Sequence, residues 1–341
     1  MHPEGRRPVP VPLIDPFARR VRDLRISITD RCNLRCADCM PEEGMDWLAR
    51  EELLSYEEIA MVARVCVERF GFEAIRLTGG EPLVRAHMPR LVRMLAPLGV
   101  DLALTTNGVR LPELAAELAD AGLGRVNVSL DTLRRERFLA LTRRDDLDRV
   151  VAGIDAALAV GLAPVKVNAV VMRGVNDDEV VDLARFGRER GVGMRFIEFM
   201  PLDAQGEWSH DKVVPAREIL ERIDAVFPLE SSAGAGHVEP AARYRYRDGA
   251  GDVGVIPSVT EPFCDNCDRV RLTAEGRFRT CLFALDETDL RPALRADGPV
   301  DLVDDRIAAA ITAAVGTKWA GHRIGRDDFV RPTRSMSQIG G

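Results

Sequence analysis

The 341-residue sequence lacks any run of about 18 apolar residues, the length that a membrane-spanning helix needs. Its first 20 residues contain proline and arginine but no apolar core, so we expect no secretory signal there. It also lacks the Gly-x4-Gly-Lys-Ser/Thr loop with which P-loop proteins bind nucleotide phosphates. These absences exclude a membrane span and a P-loop, and they favour a cytoplasmic protein.

Lysine is scarce: among 47 basic residues, the lysines are Lys166, Lys212 and Lys318. Arginine is so common that a single arginine carries little information. A formal net charge of -7 argues against a general nucleic-acid binder, although not against a local basic pocket. Apolar residues make up 46% and charged residues 30% of the chain, which excludes global disorder.

Short strand-like runs alternate with amphipathic helical stretches between residues 23 and 200. The predicted strands are 24–29, 74–78, 100–105, 125–130, 165–172 and 193–200. Ser55 with Glu58 three residues later predicts a capped helix start. Strands that alternate with helices at this spacing form parallel sheets with right-handed crossovers. We therefore predict an α/β fold, and a partial (β/α)6 TIM-type barrel is favoured over a flat sheet.

The composition changes after residue 201, where glycine, serine and loop-forming residues become more frequent. We predict a flexible arm at 1–20, the partial barrel at 21–205 and a smaller C-terminal α+β domain at 206–341.

Six of the seven cysteines form two triplets. The first triplet, Cys32, Cys36 and Cys39, follows the first predicted strand with the spacing C-x3-C-x2-C. Thiolates favour zinc or iron–sulfur clusters. Three thiolates can hold three corners of a [4Fe–4S] cubane and leave the fourth iron open to a small molecule. The alternative is a zinc site with a distant fourth ligand, but zinc sites prefer paired C-x2-C units.

The second triplet consists of Cys264, Cys267 and Cys281, with the spacing C-x2-C-x13-C. A zinc ribbon would need a fourth cysteine or histidine near Cys281, and only the distant His322 follows. Three ligands again leave one iron open. Arg269 and Arg271 share one face of an extended segment, which suits an anionic ligand. We therefore expect the C-terminal domain to carry a second cluster.

The first triplet resembles the signature of the radical S-adenosylmethionine (SAM) superfamily. The resemblance implies that the open iron chelates the amino and carboxylate groups of SAM, whose cleavage gives a 5′-deoxyadenosyl radical. The residue before the third cysteine is usually aromatic in that superfamily, whereas this chain has Asp38. Gly-Gly-Glu-Pro at 79–82 resembles the site for the SAM amino group. The SAM-binding residues implied by the resemblance are Asp38, Gly80, Ser129 and Met200.

Both triplets, the sequence Cys-Asp-Arg-Val-Arg-Leu-Thr at 267–273 and the terminal Gly-Gly resemble the GTP 3′,8-cyclase family of molybdenum cofactor biosynthesis. The resemblance covers about residues 20–341. It implies that the second cluster binds the guanine of GTP through its open iron. The adenosyl radical abstracts the ribose 3′-hydrogen, and the 3′ carbon attacks C8. The product is 3′,8-cyclo-7,8-dihydro-GTP.

A buried triphosphate requires several cations, with arginine as a bidentate donor and lysine as a point charge. The nucleotide-binding residues implied by the resemblance are Arg25, Arg76, Thr105, Lys166, Arg269 and Arg271. Arg25, Arg76 and Lys166 interrupt otherwise apolar runs, where a solvated-surface explanation is weaker. The resemblance also implies a catalytic role for Gly340 and Gly341, although such an ending is usually a ragged tail.

The implied cofactors are two [4Fe–4S] clusters and S-adenosyl-L-methionine, and the implied substrate is GTP. The resemblance further implies a lyase, an unidentified electron donor and cyclic pyranopterin monophosphate synthase as the downstream enzyme. Members of the family are often dimeric, so a homodimer is an expectation. Two alternatives stay open: another radical SAM enzyme with an auxiliary cluster, such as a peptide-modifying one, and a zinc-binding structural protein. We expect neither a nucleic-acid nor a membrane partner.

Overall fold

The computed structural model describes residues 9–41, 43–203, 205–232 and 240–340. The strands are β1 (Leu13–Ile14), β2 (Arg20–Val21), β3 (Asp23–Ser27), β4 (Ala74–Thr78), β5 (Asp101–Thr106), β6 (Arg125–Ser129), β7 (Val165–Val171), β8 (Gly193–Glu198), β9 (Leu229–Ser231), β10 (Ala242–Tyr246), β11 (Asp252–Ile256), β12 (Arg269–Leu272), β13 (Arg277–Arg279) and β14 (Thr288–Asp289). The α-helices are α1 (Tyr56–Phe70), α2 (Met88–Leu95), α3 (Leu111–Asp120), α4 (Arg135–Thr142), α5 (Leu147–Ala159), α6 (Val180–Arg190), α7 (Ala216–Asp224), α8 (Arg291–Leu294), α9 (Val300–Val315) and α10 (Met336–Ile339). Short 3-10 helices lie at Arg50–Glu52, Pro82–Val84, Ala96–Leu98, Asp177–Glu179, His210–Lys212 and Phe263–Asn266.

One large sheet organises the molecule. Its strands lie in the order β14-β13-β12-β3-β4-β5-β6-β7-β8-β11-β10-β9. The strands from β3 to β8 run parallel in chain order, and helices connect them. This arrangement agrees with the predicted open (β/α)6 core.

The C-terminal portion adds strands to both edges of that core. β12 pairs in parallel with β3, and β11 pairs in parallel with β8. Beyond them β13 and β14 on one side, and β10 and β9 on the other, are antiparallel. The boundary after residue 205 stays a prediction, and the sheet itself runs through both portions.

Helix α1 illustrates how the sequence places the covering helices. The Ser55 hydroxyl accepts from the Glu58 N–H, and the Glu58 carboxylate accepts from the Ser55 N–H, so the predicted cap is present. Gly71 ends the helix in the left-handed conformation. The buried face, with Ile59 and Val62, joins the main hydrophobic core, and the helix packs on β3 and α9.

Within the predicted flexible arm, residues 13–20 form ordered structure in which Leu13, Asp15 and Arg19 are buried. β1 and β2 pair as a short hairpin. The Asp15 carboxylate accepts from the N–H groups of Phe17 and Arg19 and so forms the turn. Arg19 is 8% exposed, and its side chain binds Asp15. Residues 1–8 of the predicted arm lie outside the described residues.

No helix in the described part of the chain combines the length and the apolar character needed to cross a membrane.

Candidate active site

A cavity of about 600 Å³ lies over one face of the parallel strands. Residues at alternate positions of each strand line it, because alternate side chains of a strand point to the same face. The lining includes the sequence-predicted residues Arg25, Cys32, Cys36, Asp38, Cys39, Arg76, Gly80, Thr105, Ser129, Lys166, Met200, Arg269 and Arg271. The structure therefore gathers residues from across the chain around one space.

A row of guanidinium groups lines one part of the cavity. The sheet register places Arg25 of β3 directly between Arg271 of β12 and Arg76 of β4. Burial, and then the charges of Arg269 and Arg76, lower the pKa of Arg25 well below its usual value. Burial lowers the pKa of Arg76 and, with the charge of Arg269, brings that of Arg271 to about 10. The Asp23 carboxylate, 4.0 Å from Arg25 Nε, raises the pKa of Arg25 and Arg76 but does not offset these effects, so an additional anion would stabilise the row.

The same cavity wall carries further polar side chains. Thr105 of β5, Asn127 of β6 and Lys166 of β7 are direct neighbours in the sheet register. The Thr105 Oγ1 and Asn127 Oδ1 atoms are buried and have no hydrogen-bond partner in the described chain, and the same is true of the Nε atoms of Arg25 and Arg76. Buried polar atoms normally find partners. These four atoms therefore point to a polar ligand in the cavity.

The first triplet lies in the loop after β3 and lines the cavity. Burial raises the pKa of Cys32 to about 11 and raises the pKa of Cys36 and Cys39 well above the usual value. Nearby carboxylates act in the same direction: Glu81 for Cys32, and Asp38 for Cys36 and Cys39. Without a metal these thiols stay protonated at neutral pH.

Acidic side chains surround the first triplet. Burial raises the pKa of Asp38, and burial together with Asp38 raises the pKa of Asp131 to about 8. Burial also raises the pKa of Glu81 to about 7. Asp38 and Asp131 both line the cavity. This part of the cavity is therefore acidic and suits a cationic ligand.

The Gly-Gly-Glu-Pro turn after β4 has a structural role of its own. A Cβ atom on Gly80 would lie 2.4 Å from the carbonyl oxygen of Asp30, so glycine allows the turn to pack on the cysteine loop. Glu81 accepts hydrogen bonds from the Thr106 hydroxyl and the Asn107 N–H, both at 2.7 Å. Asn107 in turn donates to Cys32 Sγ at 3.8 Å. The turn thus fixes the first triplet against β5.

The second triplet lies beside the cavity and close to Arg271 of the guanidinium row. Its thiols are absent from the described cavity lining, but residues flanking each of them line it: Phe263, Asp268 and Leu282. Cys264 and Cys267 interact electrostatically, and so do Cys264 and Cys281, so the three lie close together. Burial would raise the pKa of Cys267, but the charges of Arg269 and Lys318 outweigh it and lower that pKa.

The segment after α9 frames the second triplet. Lys318 Nζ lies 3.7 Å from Cys267 Sγ. The His322 N–H donates to Cys264, and a Cβ on Gly321 would lie 2.8 Å from the Cβ of Cys264. Arg19 donates to the carbonyl oxygens of Cys264, Trp319 and Ala320. The N-terminal hairpin therefore holds this segment against the second triplet.

His322 does not complete a metal site, because both of its ring nitrogens have other partners. Nε2 lies 2.9 Å from the Ser258 carbonyl oxygen, and Nδ1 accepts from the Ile324 N–H at 3.3 Å. The distant fourth ligand that a zinc site would require is therefore engaged elsewhere.

The C-terminal segment connects the two triplets. The N–H and hydroxyl of Ser337 in α10 lie against Cys39 of the first triplet and act to lower its pKa, and the hydroxyl also donates to Met45 Sδ at 3.4 Å. Arg271, which interacts electrostatically with Cys281 and Cys267, donates to the carbonyl oxygen of Gly340. Gly340 has a φ of 82°, and a Cβ there would lie 2.8 Å from Thr78 Cγ2. Gly341 lies outside the described residues.

Both triplets present a donor set that fits iron–sulfur clusters. The Leu34 N–H reaches Cys32 Sγ and the Phe283 N–H reaches Cys281 Sγ, each at 3.4 Å. Such N–H groups stabilise thiolates that ligate iron. In the described residues, no three His, Cys, Asp or Glu side chains are grouped so that they could hold a metal ion. A cubane does not require such convergence, because its thiolates bind different irons.

Sequence reasoning missed several residues that the structure adds. Asn127 was visible in principle, because Arg125, Asn127 and Ser129 form a polar alternation on one strand. No local pattern marked Arg19, Lys318 or Ser337.

Comparison with known proteins agrees with this arrangement. Residues 26–187 match the family model described as Radical SAM superfamily, and residues 192–324 match Molybdenum Cofactor Synthesis C. A GTP 3′,8-cyclase of Streptomyces coelicolor is 50% identical over 333 residues, which covers 96% of each chain. The chain belongs to the GTP 3′,8-cyclase family.

Other members of the GTP 3′,8-cyclase family match over similar lengths. A GTP 3′,8-cyclase of Corynebacterium glutamicum is 46% identical over 340 residues and covers 96% of this chain and 89% of the relative. A GTP 3′,8-cyclase 2 of Mycobacterium tuberculosis is 48% identical over 340 residues and covers 98% and 93%.

The fold is similar to that of Streptococcus suis SuiB bound to S-adenosylmethionine, with a TM-score of 0.61 and 16% identity over 86% of this chain and 68% of that chain. This likeness concerns the fold alone and confirms the predicted fold class.

Proposed function

We propose that this chain is a radical SAM enzyme that converts GTP to 3′,8-cyclo-7,8-dihydro-GTP, the first step of molybdenum cofactor biosynthesis. In this reaction a 5′-deoxyadenosyl radical would abstract the ribose 3′-hydrogen, the 3′ carbon would bond to C8 of guanine, and one electron from the reductant and one proton would complete the dihydro product. Family membership over nearly the full chain supports the proposal.

One observation carries the proposal on the side of geometry. One part of the cavity lining holds the first triplet with the carboxyl groups of Asp38 and Asp131, and another part holds the guanidinium row, which adjoins the second triplet. SAM carries a sulfonium and an ammonium group, whereas GTP carries several negative charges. The two ligands therefore match different parts of the lining of one cavity.

We assign the first triplet to a [4Fe–4S] cluster with SAM at its open iron. The chemistry that such a cluster supplies with bound SAM is one-electron cleavage to methionine and the 5′-deoxyadenosyl radical. The chain's own part is to hold SAM in place. The residues proposed for SAM are Asp38, Gly80, Ser129 and Met200, all of which line the cavity.

The guanidinium row is assigned to the triphosphate. Arg25, Arg76 and Arg271 lie side by side on three strands, and Arg269 belongs to the same wall. Guanidinium groups bind phosphate oxygens bidentately. Phosphate would supply the additional anion that stabilises the row, and Thr105 and Lys166 would bind other polar groups of the nucleotide.

The second triplet is assigned to a [4Fe–4S] cluster that binds the guanine base through its open iron. Gly340 and Gly341 are proposed to act in catalysis through the tail. Gly340 supports this role, because its carbonyl oxygen binds Arg271 of the guanidinium row.

Further properties are proposals from the resemblance. They comprise membership of the lyase class, a cytoplasmic location, an electron donor of unknown identity, a homodimer, and cyclic pyranopterin monophosphate synthase as the next enzyme.

An anaerobic assay with SAM, dithionite and GTP tests the proposed function. We expect 5′-deoxyadenosine and a cyclised nucleotide in equal amounts with GTP, and no cyclised nucleotide when ATP replaces GTP. Tritium or deuterium at the ribose 3′ position should move into 5′-deoxyadenosine. Label transfer from any other position would contradict the proposed abstraction.

Metal analysis tests the alternatives. We expect about eight irons per chain, the content of two cubanes. A colourless protein that holds zinc instead would support the structural alternative. Iron with peptide modification and no cyclised nucleotide would support the other radical SAM enzyme.

A further inference from the structure

Lys318 stands out because this chain otherwise uses arginine for its positive charges. It is one of three lysines among 47 basic residues. Lys166 lines the cavity, and Lys212 lies near the surface with its side chain 39% exposed. Lys318 is only 3% exposed and has no role in the proposed binding of SAM or GTP. A buried ammonium group requires both hydrogen-bond acceptors and a compensating negative charge.

Each N–H of the Lys318 ammonium group has an acceptor. Nζ donates to the carbonyl oxygen of Arg269 at 2.7 Å and to that of Thr280 at 2.6 Å. It also donates to Cys267 Sγ at 3.7 Å. An ammonium group has three donors, so the set is complete.

Two of these acceptors belong to the chain segments that carry the second triplet. The Arg269 carbonyl lies two residues after Cys267, and the Thr280 carbonyl directly precedes Cys281. β12 and β13, which flank these positions, pair antiparallel. Lys318 thus links the Cys267 segment to the Cys281 segment through one nitrogen atom.

Among the residues that the structure describes, no Asp or Glu accepts a hydrogen bond from the Lys318 ammonium group. The third acceptor is a sulfur atom, which is a weak acceptor as a thiol and a strong one as a metal-bound thiolate. The pocket of Lys318 therefore fits a chain whose second triplet is loaded with iron.

Arginine would not reproduce this arrangement. Its guanidinium group is planar and spreads its donors over a fork, whereas lysine is a compact point charge. Arg19, on the same side of the triplet, shows the difference, because it donates to three backbone carbonyls and to no sulfur. The presence of a lysine at position 318 of an arginine-rich chain agrees with a need for a tetrahedral donor.

We propose that Lys318 is a positioning residue for the second cluster. It fixes the separation of the Cys267 and Cys281 segments and donates an N–H···S hydrogen bond to the Cys267 thiolate. Such a bond withdraws electron density from the ligand and raises the reduction potential of the cluster. This inference rests on the proposed function, because it requires an iron–sulfur cluster at the second triplet.

Redox titration of the second cluster tests the inference. In a background with Cys32, Cys36 and Cys39 replaced by alanine, only the second cluster remains. We expect Lys318→Met to lower its midpoint potential, as followed by electron paramagnetic resonance. Lys318→Arg should fail to restore it, and the surface control Lys212→Met should leave it unchanged. Equal potentials in the Lys318→Met and parent proteins would overturn the inference.

If the Lys318→Met variant does not bind iron, its redox potential cannot be measured. A second measurement therefore uses protein that retains Lys318. The chain is labelled with lysine that carries ¹⁵N at Nζ, and the reduced second cluster is examined by pulsed electron paramagnetic resonance. We expect a ¹⁵N coupling that persists in a Lys166→Met variant. Its absence would overturn the inference. Absence of iron from the second triplet of the parent protein would instead overturn the proposed function.

Discussion

The two cysteine triplets have opposite electrostatic surroundings. The first is buried beside Asp38, Asp131 and Glu81, and burial and these carboxylates keep the pKa of its thiols high. The second lies beside Arg269 and Lys318, whose charges lower the pKa of Cys267 in spite of its burial, whereas burial still raises the pKa of Cys264. Three cysteines are thus surrounded by acidic side chains at the first triplet and by basic side chains at the second.

This difference shows that the two sites are distinguished by the charge of the residues around each triplet, because the number of cysteines is the same in both. In the proposed assignment, each triplet leaves one position of a cubane open. Acidic surroundings would attract the cationic groups of SAM, and basic surroundings would attract the phosphates of GTP. The following predictions test this contrast, from the largest expected effect to the smallest.

Removal of one thiol from each triplet should separate two activities. Cys36→Ala should abolish 5′-deoxyadenosine formation, because the proposed SAM cluster loses a ligand. Cys267→Ala should abolish the cyclised nucleotide but retain slow SAM cleavage. Chromatography of both products measures the outcome, and Cys66→Ala, which removes the buried cysteine outside both triplets, is the control. Retention of SAM cleavage in Cys36→Ala would refute the assignment of the first triplet.

Removal of one charge from the guanidinium row should weaken GTP binding without lowering the thermal stability of the protein. Arg25→Met should weaken GTP binding by on the order of 100-fold, because loss of a desolvated charged contact costs roughly 2–5 kcal/mol. SAM binding should not change. The melting temperature of the nucleotide-free protein should not fall, because burial and like charges disfavour the Arg25 guanidinium.

Calorimetry with GTP and with SAM, together with thermal unfolding, measures these effects of Arg25→Met. Arg93→Met removes an exposed arginine that pairs with Glu117 and serves as the matched control. Equal weakening of GTP and SAM binding would contradict the assignment of the two ligands to different parts of the cavity.

Helix α10 and Gly340 form the C-terminal tail that connects both triplets. We expect substitution of Gly340 to reduce the cyclisation activity. Gly340→Ala adds a Cβ at positive φ and against Thr78, a strain of about 1–3 kcal/mol, so we expect cyclisation to slow by about tenfold or more. Iron content should stay unchanged.

Gly99→Ala is the matched control for Gly340→Ala, since Gly99 has a φ of 70° and open space around its Cβ position. Deletion of Gly340 and Gly341, or addition of residues after Gly341, should abolish cyclisation with both clusters intact. Unchanged turnover in these variants would remove the catalytic role of the tail.

The smallest effect is expected from Ser337→Ala. The hydroxyl contact with Cys39 is lost, while the backbone N–H contact remains, so a change of about 1 kcal/mol is expected. SAM cleavage should slow by less than about tenfold. Ser231→Ala on an exposed strand position is the control, and a loss of all iron from the first triplet would show that Ser337 instead holds the loop together.

Local sequence patterns were sufficient to predict the parallel core. The inward-facing Arg25, Arg76 and Lys166 were visible because a polar residue inside an apolar run marks one face of a strand. The spacing of the first triplet marked the cysteine loop. These features depend on neighbours within a few residues, which is why sequence alone revealed them.

Contacts between distant parts of the chain could not be predicted in this way. Arg19 meets the carbonyl of Cys264, and Ser337 meets Cys39, without any periodic pattern to indicate either contact. The prolines before Arg19 indicated an extended arm, but Arg19, which is buried and paired with Asp15, ties that arm to the C-terminal portion through hydrogen bonds to backbone carbonyl oxygens. Tertiary packing decided these positions.

The placement of β12 beside β3 also has a consequence during protein synthesis. Leu24 of β3 pairs with Val270 of β12. The ribosome synthesises β3 early and β12 late, so one edge of β3 has no partner strand until β12 has been made. Until then the newly made chain presents unpaired backbone groups on which another polypeptide can add a strand. Slow translation and chaperones that shield this edge should therefore decide how much of the newly made protein escapes aggregation.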